Sequence, residues 1–119
     1  MNVAVIGASN KPDRYSYQAV LLLKEKGHKV YPVHQRIKDI EGIPVYPSIA
    51  DIADPIDTVS MYVAADISSA LSDAVLAKKP RRIIFNPGAE NVELEQKAKA
   101  GGVAAVNACT LVMLRTGQF

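Results

Sequence analysis

Residues Gly7-Ala8-Ser9-Asn10-Lys11-Pro12-Asp13-Arg14-Tyr15-Ser16 follow an apolar run, Asn2 to Ile6, and precede a segment with helical spacing. Gly7 lets the backbone turn tightly at once, and Ala8 and Ser9 leave room for a bulky group beside the main chain. A helix starting at Ser16 directs free amides and the positive end of its dipole back into this loop, where they attract anions. Lys11 and Arg14 add positive charge. Together these features suit a diphosphate; a solvated turn with incidental charges is the plainer alternative. The loop lacks the G-K-[ST] of a Walker A motif. Of the three glycines in G-x-G-x-x-G it has only Gly7, which weakens a dinucleotide reading.

An NAD site calls for Asp or Glu at the end of the second strand, roughly 20 residues past the glycines, to bond ribose hydroxyls. The chain has Val33-His34-Gln35-Arg36 there and no acid before Asp39. Arg36 and Lys38 instead suit a phosphate carried on the ribose, as in coenzyme A or NADP, or are ordinary surface charges. His34 is either a polar residue at a strand end or a ligand contact. The segment Ala64-Ala65-Asp66-Ile67-Ser68 either flanks a ligand or caps a helix through Asp66. Asn86-Pro87-Gly88-Ala89-Glu90 is a turn in which Pro87 fixes one dihedral and Gly88 permits an unusual one.

The elements that must position these loops are legible as five short apolar runs with helical stretches between them. The strands are expected at Asn2–Ile6, Lys29–Val33, Thr58–Val63, Arg82–Phe85 and Val103–Val106. Alternation of strands with helices, and runs such as VAVI and RRIIF, indicate a parallel sheet covered on both faces. The fold class is therefore α/β, a Rossmann-like, doubly wound, mainly parallel five-stranded sheet in a three-layer arrangement. In such a sheet the ligand lies outside the carboxyl ends of the strands, where the strand order reverses. The first helix runs from about Ser16 to Lys26 and stops at Gly27. Ser48-Ile49-Ala50-Asp51 has the S-x-x-D form of a capping box and opens a short helix ended by Pro55. Ile67, Ala70, Leu71, Ala74 and Val75 make one apolar stripe on a third helix, closed by Pro80. Asn91 caps a fourth, with Glu93 and Glu95 near its positive end and Gly101-Gly102 at its finish. Leu111 to Arg115 is expected to form one more turn, and Ile43 to Tyr46 a short edge strand.

A chain of 119 residues fits one domain, residues 1–119. Its 49% hydrophobic and 22% charged residues are ordinary for a globular protein and favour neither a disordered nor a fibrous class. A net charge of +2 is too mild for a nucleic-acid footprint. No apolar run approaches a membrane span, and the first strand leaves no room for a leader, so a cytoplasmic location is expected. The lone Cys109 forms no internal disulfide and no metal or redox motif. It follows the fifth strand, where a mixed disulfide with a thiol ligand competes with the plain role of a small buried side chain. His28, just past Gly27, is expected in solvent. There is no paired-carboxylate, H-E-x-x-H or G-x-S-x-G arrangement, so no catalytic residue is assigned.

In chain order, V-x-V-I-G-A-S-x-x-P-x-R-x-S, G-H-K-V-Y-P-V, I-x-G-I-P-V-Y-P-S-I-A-D-I, I-D-T-V and N-P-G-A-E-N cover nearly the whole sequence. Their order resembles the small CoA-binding domain family, which is similar to the CoA-binding domain of the succinyl-CoA synthetase alpha subunit. The resemblance implies a Rossmann-like fold that binds coenzyme A or an acyl-CoA. By position, Gly7, Ala8, Ser9, Arg14 and Ser16, with Lys11 beside them, would line the diphosphate loop. Val33 and Arg36, with His34 between them, would border the adenosine, and Asn86, Pro87 and Gly88 would face the pantetheine. The family often has Val-Asn-Pro where this chain has Val33-His34-Gln35. The related synthetases keep a phosphorylatable histidine in a separate domain, for which these residues have no counterpart.

Three functions are therefore expected to compete. The first is a non-catalytic coenzyme A binding module, a carrier, a sensor, or a partner of a larger acyl-CoA enzyme or of further copies of itself. The second is an NADP(H)-binding redox sensor or oxidoreductase-type domain. The third is an interaction module that has lost its nucleotide. The apolar tail from Thr110 to Phe119 belongs either to the core or to a subunit contact.

Overall fold

The computed structural model describes all residues from Met1 to Phe119. Five parallel strands form the main sheet: β1 (Asn2–Ile6), β2 (Lys29–Val33), β5 (Thr58–Met61), β6 (Arg82–Phe85) and β7 (Ala104–Asn107), in the spatial order β2-β1-β5-β6-β7. In β1 and β5, at the middle of the sheet, Val3, Ala4, Val5, Val59 and Met61 have no exposed surface, and the polar Thr58 and Ser60 of β5 are buried with them. Alternate side chains of β1 serve opposite faces. Val3 and Val5 pack with Val20 and Leu23 of α1 (Tyr15–Glu25) and Leu114 of α4 (Thr110–Arg115). Ala4 and Ile6 join the core beneath α2 (Ala65–Ala77) and α3 (Val92–Ala100), which contribute Val75, Leu94 and Ala98.

The chain leaves β1 toward β2 on one side and later returns to β1's other side with β5. The order therefore reverses between β1 and β5, and a doubly wound sheet places its ligand crevice at that reversal.

Several local features depart from the sequence expectations. The ladder of β5 ends at Met61, and Tyr62 and Val63 lie beyond it at the sheet's carboxyl edge. Ile43–Pro44 is the strand β4, paired antiparallel with β3 (Asp39–Ile40), while Tyr46 bridges in parallel to Val33. The helix at Ser48 is one 3-10 turn, Ile49–Asp51. The Ser48 hydroxyl accepts from the Ala50 amide at 3.2 Å, but no box closes: the Asp51 amide bonds the Ser48 carbonyl at 3.0 Å instead of the hydroxyl. Asp66 does not cap α2. It lies in the first turn behind Ala64, where a carboxylate favours the positive helix end.

The apolar stripe of α2 is also turned from its expected position. Ser68 and Ser72 are buried with Val75, whereas Ile67 is 49% exposed. The buried serines donate to the Ala65 and Ser69 carbonyls one turn back. The small Ser68 side chain, with that of Ser69, also lets Asn91 reach α2 from the start of α3. Asn91 caps α3 by accepting from the Leu94 amide at 3.0 Å, with Glu93 and Glu95 in the first turn as expected. His28 is half-buried, not free in solvent: its ring packs edge-on against Phe119 and its Nδ1 lies 3.3 Å from the Met1 amine. Burial and the positive charges of that amine and Arg82 hold it below the usual imidazole range. In the tail, Leu111 and Leu114 enter the core and Val112 faces outward.

Candidate functional site

At the strand-order reversal a cleft of about 620 Å³ opens between the β1 exit, the β2 exit and the β5 exit. Gly7, Ala8, Ser9, Asn10, Lys11, Arg14, Tyr15 and Ser16 form its long wall, His34 and Ile37 a second, and Tyr62 and Val63 the third. Gly7 makes the tight approach possible. Its φ is +86°, and a Cβ there would lie 2.8 Å from Val63 Cγ1.

Not every amide in the first loop is open. The Gly7 and Ala8 amides both donate to the Val33 carbonyl at 3.2 Å, which ties the loop to β2. The Lys11 amide donates to Ser9 Oγ at 3.1 Å, and that of Arg14 to the Lys11 carbonyl at 3.0 Å. The amides of Ser9, Asn10, Tyr15, Ser16 and Tyr17 have no acceptor in the chain. The last three are the orphan donors of α1, whose N-cap residue, Arg14, supplies no side-chain acceptor. Neither Lys11 nor Arg14 has a carboxylate within ion-pair distance, so both charges stand uncompensated beside these amides.

On the second wall, His34 Nδ1 accepts from the Arg36 amide at 3.0 Å and the Ile37 amide at 3.2 Å. Arg36 and Lys38 are exposed outside the cleft lining, and Val33 contributes only its carbonyl to the loop. The β6 exit does not border the cleft. Asn86 is buried, its amide donating to Ser60 Oγ at 3.0 Å and the Met61 carbonyl at 2.9 Å, its carbonyl accepting from the Thr110 amide at 2.8 Å. This holds β5, β6 and α4 together and leaves the side chain without a free polar atom for a ligand. Pro87 and Gly88 are exposed; Gly88 has φ +90°, the conformation expected of that turn. Cys109, half-buried at the head of α4, is absent from the lining.

Sequence reasoning placed Asn10 and Tyr15 in the ligand loop without singling them out as contacts, and missed Ile37, Tyr62 and Val63. It looked for the third wall at Ala64–Ser68, just past the two residues that form it. The usable signal was position: Tyr62 and Val63 directly follow the strand beside β1, across the reversal. Burial pushes the Tyr62 phenol up to about 12, and its hydroxyl sits by Thr110 and Ser60 with no aligned partner. Those two hydroxyls bond each other instead, at 2.8 Å.

The chain is 40% identical over 62 residues to the alpha subunit of an ADP-forming acetate–CoA ligase II of Pyrococcus furiosus, covering 51% of this chain and 14% of that subunit. An uncharacterized Bacillus subtilis protein, YneT, is 26% identical over 100 residues, 84% of this chain and 74% of its own. The crystal structure of an uncharacterized protein superimposes with a TM-score of 0.93 at 35% identity, covering 99% of this chain and 97% of that one. The chain spans only a small part of the ligase subunit it matches, and most of each of the other two. Residues 1–115 match the family described as the CoA binding domain, over the same strands and loops that build the cleft, and the chain belongs to that family.

Proposed function

We propose that this chain binds coenzyme A or an acyl-CoA without transforming it, holding the diphosphate between the β1 exit loop and the first turn of α1. The observation that carries this is the set of amides at Ser9, Asn10, Tyr15 and Ser16 without acceptors, flanked by the uncompensated Lys11 and Arg14. Oriented amides at a helix N-terminus with adjacent cations suit the charge and acceptor oxygens of a diphosphate. A cleft of this size is within the range for a small-molecule site. The ligase relative is named for an acyl-CoA reaction, and this chain corresponds to a fraction of its length. On this proposal the residues of this chain bind the cofactor, and no step of a reaction is assigned to them. The protein then acts as a carrier, a sensor, or a partner of an acyl-CoA enzyme.

Calorimetric titration with coenzyme A, acetyl-CoA and NADPH tests the proposal. Saturable binding of the first two, weakened about tenfold by Arg14→Ala, is expected from the loss of a charge-assisted contact. Preference for NADPH would favour a redox function, and no binding of any of the three would overturn the proposal.

A further inference from the structure

The β2 exit turns through a contact that its residue types did not announce. His34 Nδ1 receives two main-chain amides, those of Arg36 and Ile37, at 3.0 and 3.2 Å. An amide nitrogen only donates, so Nδ1 must offer its lone pair, and a neutral ring with an acceptor at Nδ1 carries its proton on Nε2. The same two-residue and three-residue spacing is how an Asn or Asp side chain closes a turn on its own backbone. His34 thus does with a ring nitrogen what a shorter side chain does with an oxygen, and keeps a second polar atom in reserve. Nε2 has no partner in the chain, and His34 belongs to the cleft lining, as does Ile37, whose amide it holds.

Building on the coenzyme A assignment above, we propose that His34 is both the positioning residue of the second wall and a ligand contact. It is locked as the Nε2–H tautomer by the Arg36 and Ile37 amides, and presents that N–H to a phosphate oxygen of the bound nucleotide. Two phosphates are available on coenzyme A, the diphosphate and the ribose phosphate, and both offer the same acceptor chemistry.

Nitrogen-15 NMR of the ligand-free protein tests the lock without reference to any ligand. At neutral pH the His34 ring should show a proton-bearing Nε2 and an unprotonated Nδ1; the opposite tautomer would overturn the lock. Titration then tests the contact. His34→Asn keeps an acceptor for the Arg36 and Ile37 amides but cannot extend a donor as far as Nε2, and it should bind coenzyme A roughly tenfold more weakly than the native chain. His34→Ala loses the acceptor as well and should fall further, with the Arg36 and Ile37 amide resonances shifted while those of the sheet stay in place. Dephospho-coenzyme A identifies the recipient. A His34→Asn defect that disappears with this ligand assigns the ribose phosphate, and one that persists assigns the diphosphate. Equal affinity of His34→Asn and native protein for both ligands would overturn the donor role. Failure of the native protein to bind either ligand would overturn the coenzyme A assignment and with it the contact, while the NMR result would still decide the lock.

Discussion

Gly7 and Tyr62 face each other across the reversal in strand order, and each gives a prediction at the scale of a single side chain. At Gly7, alanine meets two obstacles: a φ of +86° that an L side chain adopts only with strain, and Val63 Cγ1 2.8 Å from the new Cβ. The methyl of a β-branched residue at χ1 has little freedom to retreat. Gly7→Ala is expected to lower stability by about 1–3 kcal/mol, read as a lower urea midpoint at unchanged slope. At Tyr62, removing the hydroxyl deletes a buried group with no aligned partner, so Tyr62→Phe should change stability at pH 7 by less than about 1 kcal/mol. Alkaline pH separates the two proteins. The unfolded phenol releases its proton near 10.0, while the folded one holds it to about 12. The unfolded state is therefore increasingly favoured across that interval, costing the native protein on the order of 2 kcal/mol that Tyr62→Phe does not lose. Tyr17 and Tyr31 are also raised, so the quantity to measure is the difference between the two unfolding curves. Curves that stay parallel from pH 9 to 12 would show that burial at Tyr62 does not control its ionisation.

Helices in this fold are joined by polar side chains as well as by apolar faces, and Asn91 is the clearest case. Its carbonyl caps α3, while its amide donates to the Ala65 carbonyl at 3.1 Å and to the Ser68 and Ser69 hydroxyls at 2.7 and 3.0 Å. Asn91→Ala removes the cap and strands these acceptors, at a cost of about 2–3 kcal/mol. Asn91→Asp keeps the cap and loses the donors. It should fall between the two in chemical denaturation and retain slow amide exchange at Leu94; equal losses would mean that the cap contributes nothing. This division explains what was legible in the sequence. The cap at Asn91 is a local pattern, a polar residue three positions before the amide it serves, and was readable. The rotation of α2 was not, because Ser68 faces inward only once Asn91 arrives from another element to meet it. Likewise Asn86 reads as a turn residue in N-P-G until β5 and α4 close around it.

The same distinction holds for the whole molecule. The first wall of the cleft lies within one stretch of chain, Gly7 to Ser16, and its glycine, small residues and cations were visible as a pattern. The third wall exists because β5 pairs with β1, and lateral strand order is a property of the assembled sheet that no spacing in the sequence encodes. Three separate exits thus form one site only in the folded state, so a ligand held by all of them must stabilise the fold as a unit. If coenzyme A is that ligand, as proposed, a concentration about 100 times its dissociation constant should contribute roughly 2.7 kcal/mol, which for a chain of this length would raise the melting temperature by on the order of 10 °C. On the proposed reading, in which Lys11 and Arg14 carry part of that binding through charge, the shift at fixed ligand concentration should shrink as salt is raised. It should be smaller and less salt-sensitive in Arg14→Ala, as followed by scanning calorimetry. A shift of the same size in Arg14→Ala at every salt concentration would locate the anion elsewhere than the head of α1.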